Sequence, residues 1–112
     1  MRSDAERNTL RDIQHNIALA QHFCVDQTLQ SFSDDVMRVY AVTRCLEIVS
    51  EASRRLSPEL KAHHPDIRWR DMAGAGNVYR HDYEDVVAQR VWDTVQVALP
   101  PLKTVVDREL GE

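Results

Sequence analysis

The sequence predicts an all-α protein, an antiparallel helical bundle of about four main helices with a short fifth. Three observations carry this. Apolar residues recur at alternating intervals of three and four over long stretches, the spacing that lines one face of a helix. Only three glycines and four prolines occur in 112 residues, too few for short strands that need a turn about every 8–12 residues. Hydrophobic residues at 43% and charged residues at 29% fit one domain, residues 1–112, with a modest core of the kind that dimerisation often strengthens.

The first helix is expected over Asp4 to Cys24. Leu10, Ile13, Ile17, Ala20 and Cys24 form its stripe, and Asp4 or Ser3 caps its start. His15 and His22 fall off the stripe and are expected at the surface. Val25 to Ser33 reads as a connection. Ser33 then reads as the N-cap of a second helix over Asp34 to Arg55, with Asp34 and Asp35 at its positive end. That helix is apolar on two faces. One carries Val36, Val39, Tyr40, Thr43, Leu46, Val49 and Ser50, the other Met37, Ala41, Cys45, Ile48 and Ala52. Two apolar faces predict a central helix or one shared with a second subunit. Glu51 can pair with Arg54 or Arg55 at helical spacing. Glu47 sits among apolar neighbours and is a candidate support for the polar cluster described below.

Ser57-Pro58-Glu59 predicts a short helix, with Ser57 as cap and Pro58 at the first helical position. His64-Pro65 ends it, because a residue preceding proline avoids helical backbone. Asp66 is a plausible cap for the next helix, whose apolar face carries Trp69, Met72 and Ala73. Gly74 and Gly76 weaken a helix by roughly 1 kcal/mol each relative to alanine but permit close approach of a neighbouring helix or a ligand. The last helix is expected over Glu84 to Glu109, striped by Val87, Val91, Val95, Ala98, Leu102, Val105 and Val106. Pro100-Pro101 should kink or divide it.

Formal net charge is −4, which does not suggest a general nucleic-acid binder. The charge is uneven, however. From Arg54 to His81 there are six Lys/Arg, three acids and three histidines, a candidate phosphate patch competing with a plain solvated surface. No apolar run approaches the roughly 20 residues needed to span a bilayer. The polar start MRSDAERNTL lacks a signal-peptide core, so a cytoplasmic location is expected. Cys24 and Cys45 are expected as free, buried thiols. With His22 they match no common metal-site spacing, so neither metal nor cofactor is expected.

The chemistry concentrates in Asn77, Arg80, His81 and Tyr83, directly after Ala73-Gly74-Ala75-Gly76. A histidine exchanges protons near neutral pH. RNA supplies its own nucleophile, the 2′-OH. Cleavage needs a base for that proton, an acid for the leaving 5′-oxygen and a donor for the phosphorane charge, with no metal. His81, with Arg80 or Arg70, Asn77 and Tyr83, has these residue types. Asn77 and His81 share a face if the helix continues. Arg80 would point about 100° away from His81 on a helix.

An ordered series of short motifs adds to this reading. Leu46-Glu47-Ile48-Val49-Ser50-Glu51-Ala52, Arg54-Arg55-Leu56-Ser57-Pro58-Glu59, His64-Pro65-Asp66-Ile67, Trp69-Arg70, Ala73-Gly74, Asn77, His81-Asp82-Tyr83 and Val91-Trp92 resemble the HepT-like toxins of the HEPN superfamily. The match runs over most of the chain, from the first helix to the LPPL segment. The resemblance implies a helical HEPN fold, usually a homodimer with its two sites facing a shared cleft. It implies a metal-independent RNase acting as the toxin of a toxin–antitoxin module. The partner it implies is a small MNT-type nucleotidyltransferase antitoxin that can add AMP to a toxin tyrosine. In the family motif an Arg is separated by four to six residues from a His, which is followed by any residue and then Tyr. The His matches His81 and the Tyr matches Tyr83. The Asn that usually follows the Arg matches Asn77.

The motif Arg position holds Gly76. Losing a charged donor from such a site commonly costs about 10²–10³ in rate. Either Arg70, Arg80 or an arginine from a second subunit substitutes, or the chain is a catalytically silent binding protein that complexes a nucleotidyltransferase. A purely structural helical dimer is a third reading, against which the clustering of Asn77, His81 and Tyr83 counts. Gly76→Arg is the substitution that would separate the first two.

Overall fold

The computed structural model describes residues 3–78 and 84–112, with side chains at all of these except 77, 78, 84 and 85. Arg80, His81 and Tyr83 therefore lie outside the described residues, and Asn77 is described by its backbone alone. The regular elements are α1 (Asp4–Cys24), α2 (Leu29–Asp34), α3 (Val36–Arg54), α4 (Pro58–Ala62), α5 (Trp69–Val78), α6 (Glu84–Asp93), a π-helical turn at Thr94–Ala98, and α7 (Leu99–Glu109). The all-α bundle expected from the sequence is the architecture found, and no strand occurs among the described residues.

The main helices alternate in direction. Arg38 Nη1 donates to the Phe23 carbonyl at 2.8 Å, and Arg55 faces Asp12 at 3.9 Å, so α3 runs back along α1. Arg11 meets Glu112 at 2.8 Å and Gln14 Nε2 donates to Asp107 at 2.9 Å, so α7 returns along α1 as well. The predicted α1 stripe is the core: Leu10, Ile13, Ile17 and Ala20 are fully buried. They pack with Val42 and Val49 of α3, Val91 of α6, and Leu99, Leu102 and Val106 of α7.

Ser3 rather than Asp4 caps α1, its Oγ accepting from Glu6 N at 3.1 Å. Asp26, at φ 60°, turns the chain out of α1 in the left-handed region, where short polar side chains are tolerated. The next expectation needs correction. Ser33 is not the cap of the long helix; it lies inside α2. Thr28 and Ser31 form a reciprocal capping box there, and Asp35 caps α3 by accepting from Arg38 N at 3.1 Å. The extra helical turn places Phe32, fully buried, against the Trp92 ring at 5.5 Å between centroids.

Ser57 caps α4 as expected, with Pro58 in its first turn. Asp66 does not cap α5. It lies in a turn closed by Ile67 N donating to the His64 carbonyl at 3.2 Å, three residues before the helix begins. The proline pair divides the last helix. Pro100 and Pro101 cannot donate, which leaves upstream carbonyls without their usual partners. The chain widens into the π turn, where Leu99 N reaches back five residues to the Thr94 carbonyl. Among the described residues, no helix is long and apolar enough to cross a membrane.

Candidate active site

α5 carries the small-residue run toward the polar cluster, and α3 holds it in place. Trp69 anchors its start: Nε1 donates to the Lys61 carbonyl at 3.1 Å and the His64 carbonyl at 3.0 Å. His64 Nε2 lies 3.5 Å from Glu109, which ties the same loop to α7. One turn into α5, the Ala73 carbonyl accepts from Ser50 Oγ at 2.8 Å, from Arg54 Nε at 3.0 Å and from Arg54 Nη2 at 2.7 Å. Ser50 Oγ also accepts from Gly76 N at 3.4 Å. The two glycines differ in role. A Cβ on Gly76 would stand 3.3 Å from Ser50 Oγ and 3.7 Å from Glu47 Cα, whereas one on Gly74 would meet nothing within 4 Å.

Gly76 is thus the contact point of α5 with α3. An arginine there would start its side chain against Ser50, so Gly76→Arg perturbs packing and is not a clean restoration of the family motif. Glu47 is half-buried on the same face of α3, beside the Gly76 backbone.

The opposite side of α5 is open. Arg70, Asp71 and Gly74 line a groove of about 500 Å³ together with Arg90, Asp93 and Thr94 from α6 and the π turn. The other described arginines of the basic window are engaged. Arg54 grips Ala73, Arg55 lies 3.8 Å from Glu51 and 3.9 Å from Asp12, and Arg68 lies 4.0 Å from Asp71. Arg70 has no hydrogen bond or ion pair among the described residues. Positions 70 and 74 are one turn apart, which places Arg70 and Gly74 together on the groove side of α5. Sequence reasoning missed Arg90. It flanks the Val87–Val91 stripe with no local signal, and only the packing of α6 beside α5 brings it near Arg70.

Among the described residues, no three His, Cys, Asp or Glu side chains are grouped as metal ligands. Cys24 and Cys45 are free and buried. Burial pushes both thiols above their ordinary range, slightly offset for Cys24 by the nearby Arg38 charge.

Residues 13–109 match the family described as "Ribonuclease HepT-like". The chain belongs to the HepT-like ribonuclease family. A protein of Thermococcus cleftensis named "Probable ribonuclease HepT" is 34% identical over 99 residues, covering 88% of this chain and 90% of that protein. "Putative RNase MJ1380" of Methanocaldococcus jannaschii is 32% identical over 85 residues, 76% of this chain and 78% of its own. "Putative RNase TTE0752" of Caldanaerobacter subterraneus is 29% identical over 76 residues, 68% of each. No solved structure matches the chain.

Proposed function

We propose that the chain is a metal-independent endoribonuclease of HEPN type, with His81 as acid/base. The observation that carries this is the Arg70 guanidinium. It is unpaired among the described residues, in an open groove beside α5, the helix that precedes His81 in the sequence, within a family whose relatives are named ribonucleases. In this reading His81 takes the proton of the ribose 2′-OH, the 2′-oxygen attacks the phosphorus, and the 5′-oxygen leaves with a proton. The products are a 2′,3′-cyclic phosphate and a 5′-OH. Arg80 and Asn77 supply donors for the phosphorane. Arg70 lies roughly 10 Å along the helix from residue 77, at 1.5 Å per residue. That distance suits a phosphate flanking the scissile one better than the scissile phosphate itself.

The same reading makes the protein a cytoplasmic homodimer and the toxin component of a toxin–antitoxin module. Its partner is an MNT-type nucleotidyltransferase that adds AMP to Tyr83. A second reading, a silent HEPN protein that only complexes the nucleotidyltransferase, is favoured by the seating of Gly76 on Ser50. The two separate on a labelled RNA pool incubated in EDTA with wild type and His81→Ala. The enzyme reading expects cyclic-phosphate ends from wild type and a loss of about 10²–10⁴ in rate for the variant. Absence of cleavage by wild type supports the silent reading.

A further inference from the structure

The arginine-lined groove does not stop at Ala75. It continues along the seam between α5 and the π turn into a second groove of about 550 Å³, and Asp71, Ala75 and Thr94 line both. The two ends differ in chemistry. At the first end Arg70 and Arg90 stand with Asp71 and Asp93. At the far end the apolar walls are Ile67, Met72, Val97 and Pro101, and the charged side chains are Asp66, Asp71 and Arg68, the last 4.0 Å from Asp71. Val97 is 73% exposed, because the π turn offsets it from the buried stripe that Val95 and Leu99 continue. Two carboxylates against one guanidinium leave this apolar slot net negative, which disfavours phosphate. It suits a flat, uncharged group that presents N–H donors.

We propose that the far groove is a nucleobase subsite for single-stranded RNA, taking the base next to the phosphate held at Arg70. The inference rests on the ribonuclease reading for its ligand. A base would pack between Met72, Val97 and Pro101 while its polar edge reaches Asp71 and Asp66. Carboxylates accept and do not donate, and with the Arg68 guanidinium turned to Asp71 the acceptors of Asp66 and Asp71 favour a base rich in donors. Guanine presents N1–H and N2–H side by side and matches one carboxylate with two hydrogen bonds. Uracil offers a single N–H flanked by two carbonyl oxygens, which face the carboxylates unfavourably. A good bidentate pair discriminates bases by about 5–150-fold. The subsite thus favours guanine over uracil at this position.

The test is binding, read separately from cleavage. The full-length protein with ¹³C-labelled methionine methyls is titrated with guanosine 3′-monophosphate, uridine 3′-monophosphate and inorganic phosphate in EDTA. The proposal expects the Met72 methyl to shift with the guanosine nucleotide, with uridine about tenfold weaker, and no Met72 shift with phosphate alone. Val97→Glu should abolish the Met72 response, and Asp71→Asn should narrow the guanine-to-uracil ratio. An unmoved Met72 methyl, or equal affinity for both nucleotides, overturns the proposal even if wild type cleaves RNA. A guanosine-dependent Met72 shift upholds the subsite even if wild type cleaves nothing, and then only the ribonuclease reading falls. A change of mass in light scattering for Val97→Glu would assign the groove to contact between copies and also overturn the proposal.

Discussion

Gly76 shows how one missing Cβ decides what the site can contain. With a side chain at 3.3 Å from Ser50 Oγ, overpacking costs about 1–3 kcal/mol, against a helix-propensity gain of roughly 1 kcal/mol for Gly→Ala. The clash should win narrowly for Gly76→Ala, lowering stability by about 1 kcal/mol in urea unfolding. Gly76→Arg should cost more than about 2 kcal/mol and should not raise RNA cleavage. Arg70 acts at the same scale but through charge. As a contact to a flanking phosphate, Arg70→Ala should reduce the slope of log K against log salt by about 1 for an oligonucleotide. Its effect should fall on KM, with kcat nearly unchanged.

Among the elements, α5 depends on the latch from α3. Arg54 is about half exposed, so its two bonds to the Ala73 carbonyl are partly screened by solvent. Arg54→Ala should cost about 1 kcal/mol and should speed amide exchange in α5 before it affects α1. The C-terminal clamp responds to pH. Hydrogen bonds from Lys103 and Gln14 hold the Asp107 carboxyl below its ordinary range. A lowered folded-state pKa stabilises above the unfolded value near 4 and is lost as pH falls through the folded value. Asp107→Asn should therefore lower Tm slightly at pH 7, by about 0.2–1 kcal/mol in stability, and the difference should shrink as pH falls below about 4. α1, α4 and the divided last helix were legible in the sequence because apolar spacing, the Ser57-Pro58 start and the proline pair are local signals. α2 was not, because its capping box uses Ser31 where the recognisable pattern has Glu or Gln. The seat of Gly76 depends on Ser50, 26 residues away, and the pairing of Arg70 with Arg90 depends on how α5 and α6 pack. No local pattern reports either.

At the scale of the whole molecule, one buried cluster runs through α1, α3, α6 and α7 and leaves the α5–α6 seam as an open trench beside it, charged at one end and mainly apolar at the other. Cys24 and Cys45 lie in the buried part, with thiols kept protonated by burial, so a thiol reagent should label them only as fast as the molecule opens. Labelling rates should then follow stability across the variants above. Apolar side chains are exposed elsewhere too, at Val36 and Met37 on α3, and this face competes with the seam as the place where the molecule meets a partner. The proposed path of RNA is the α5–α6 seam. It is tested most directly by mapping backbone amide shifts on adding a 2′-O-methyl oligonucleotide, which binds but lacks the nucleophile for cleavage. The account predicts shifts concentrated over residues 67–76 and 86–98, lost in Arg70→Ala/Arg90→Ala. Shifts confined to the Val36–Arg44 face of α3, with the seam unchanged, would contradict it.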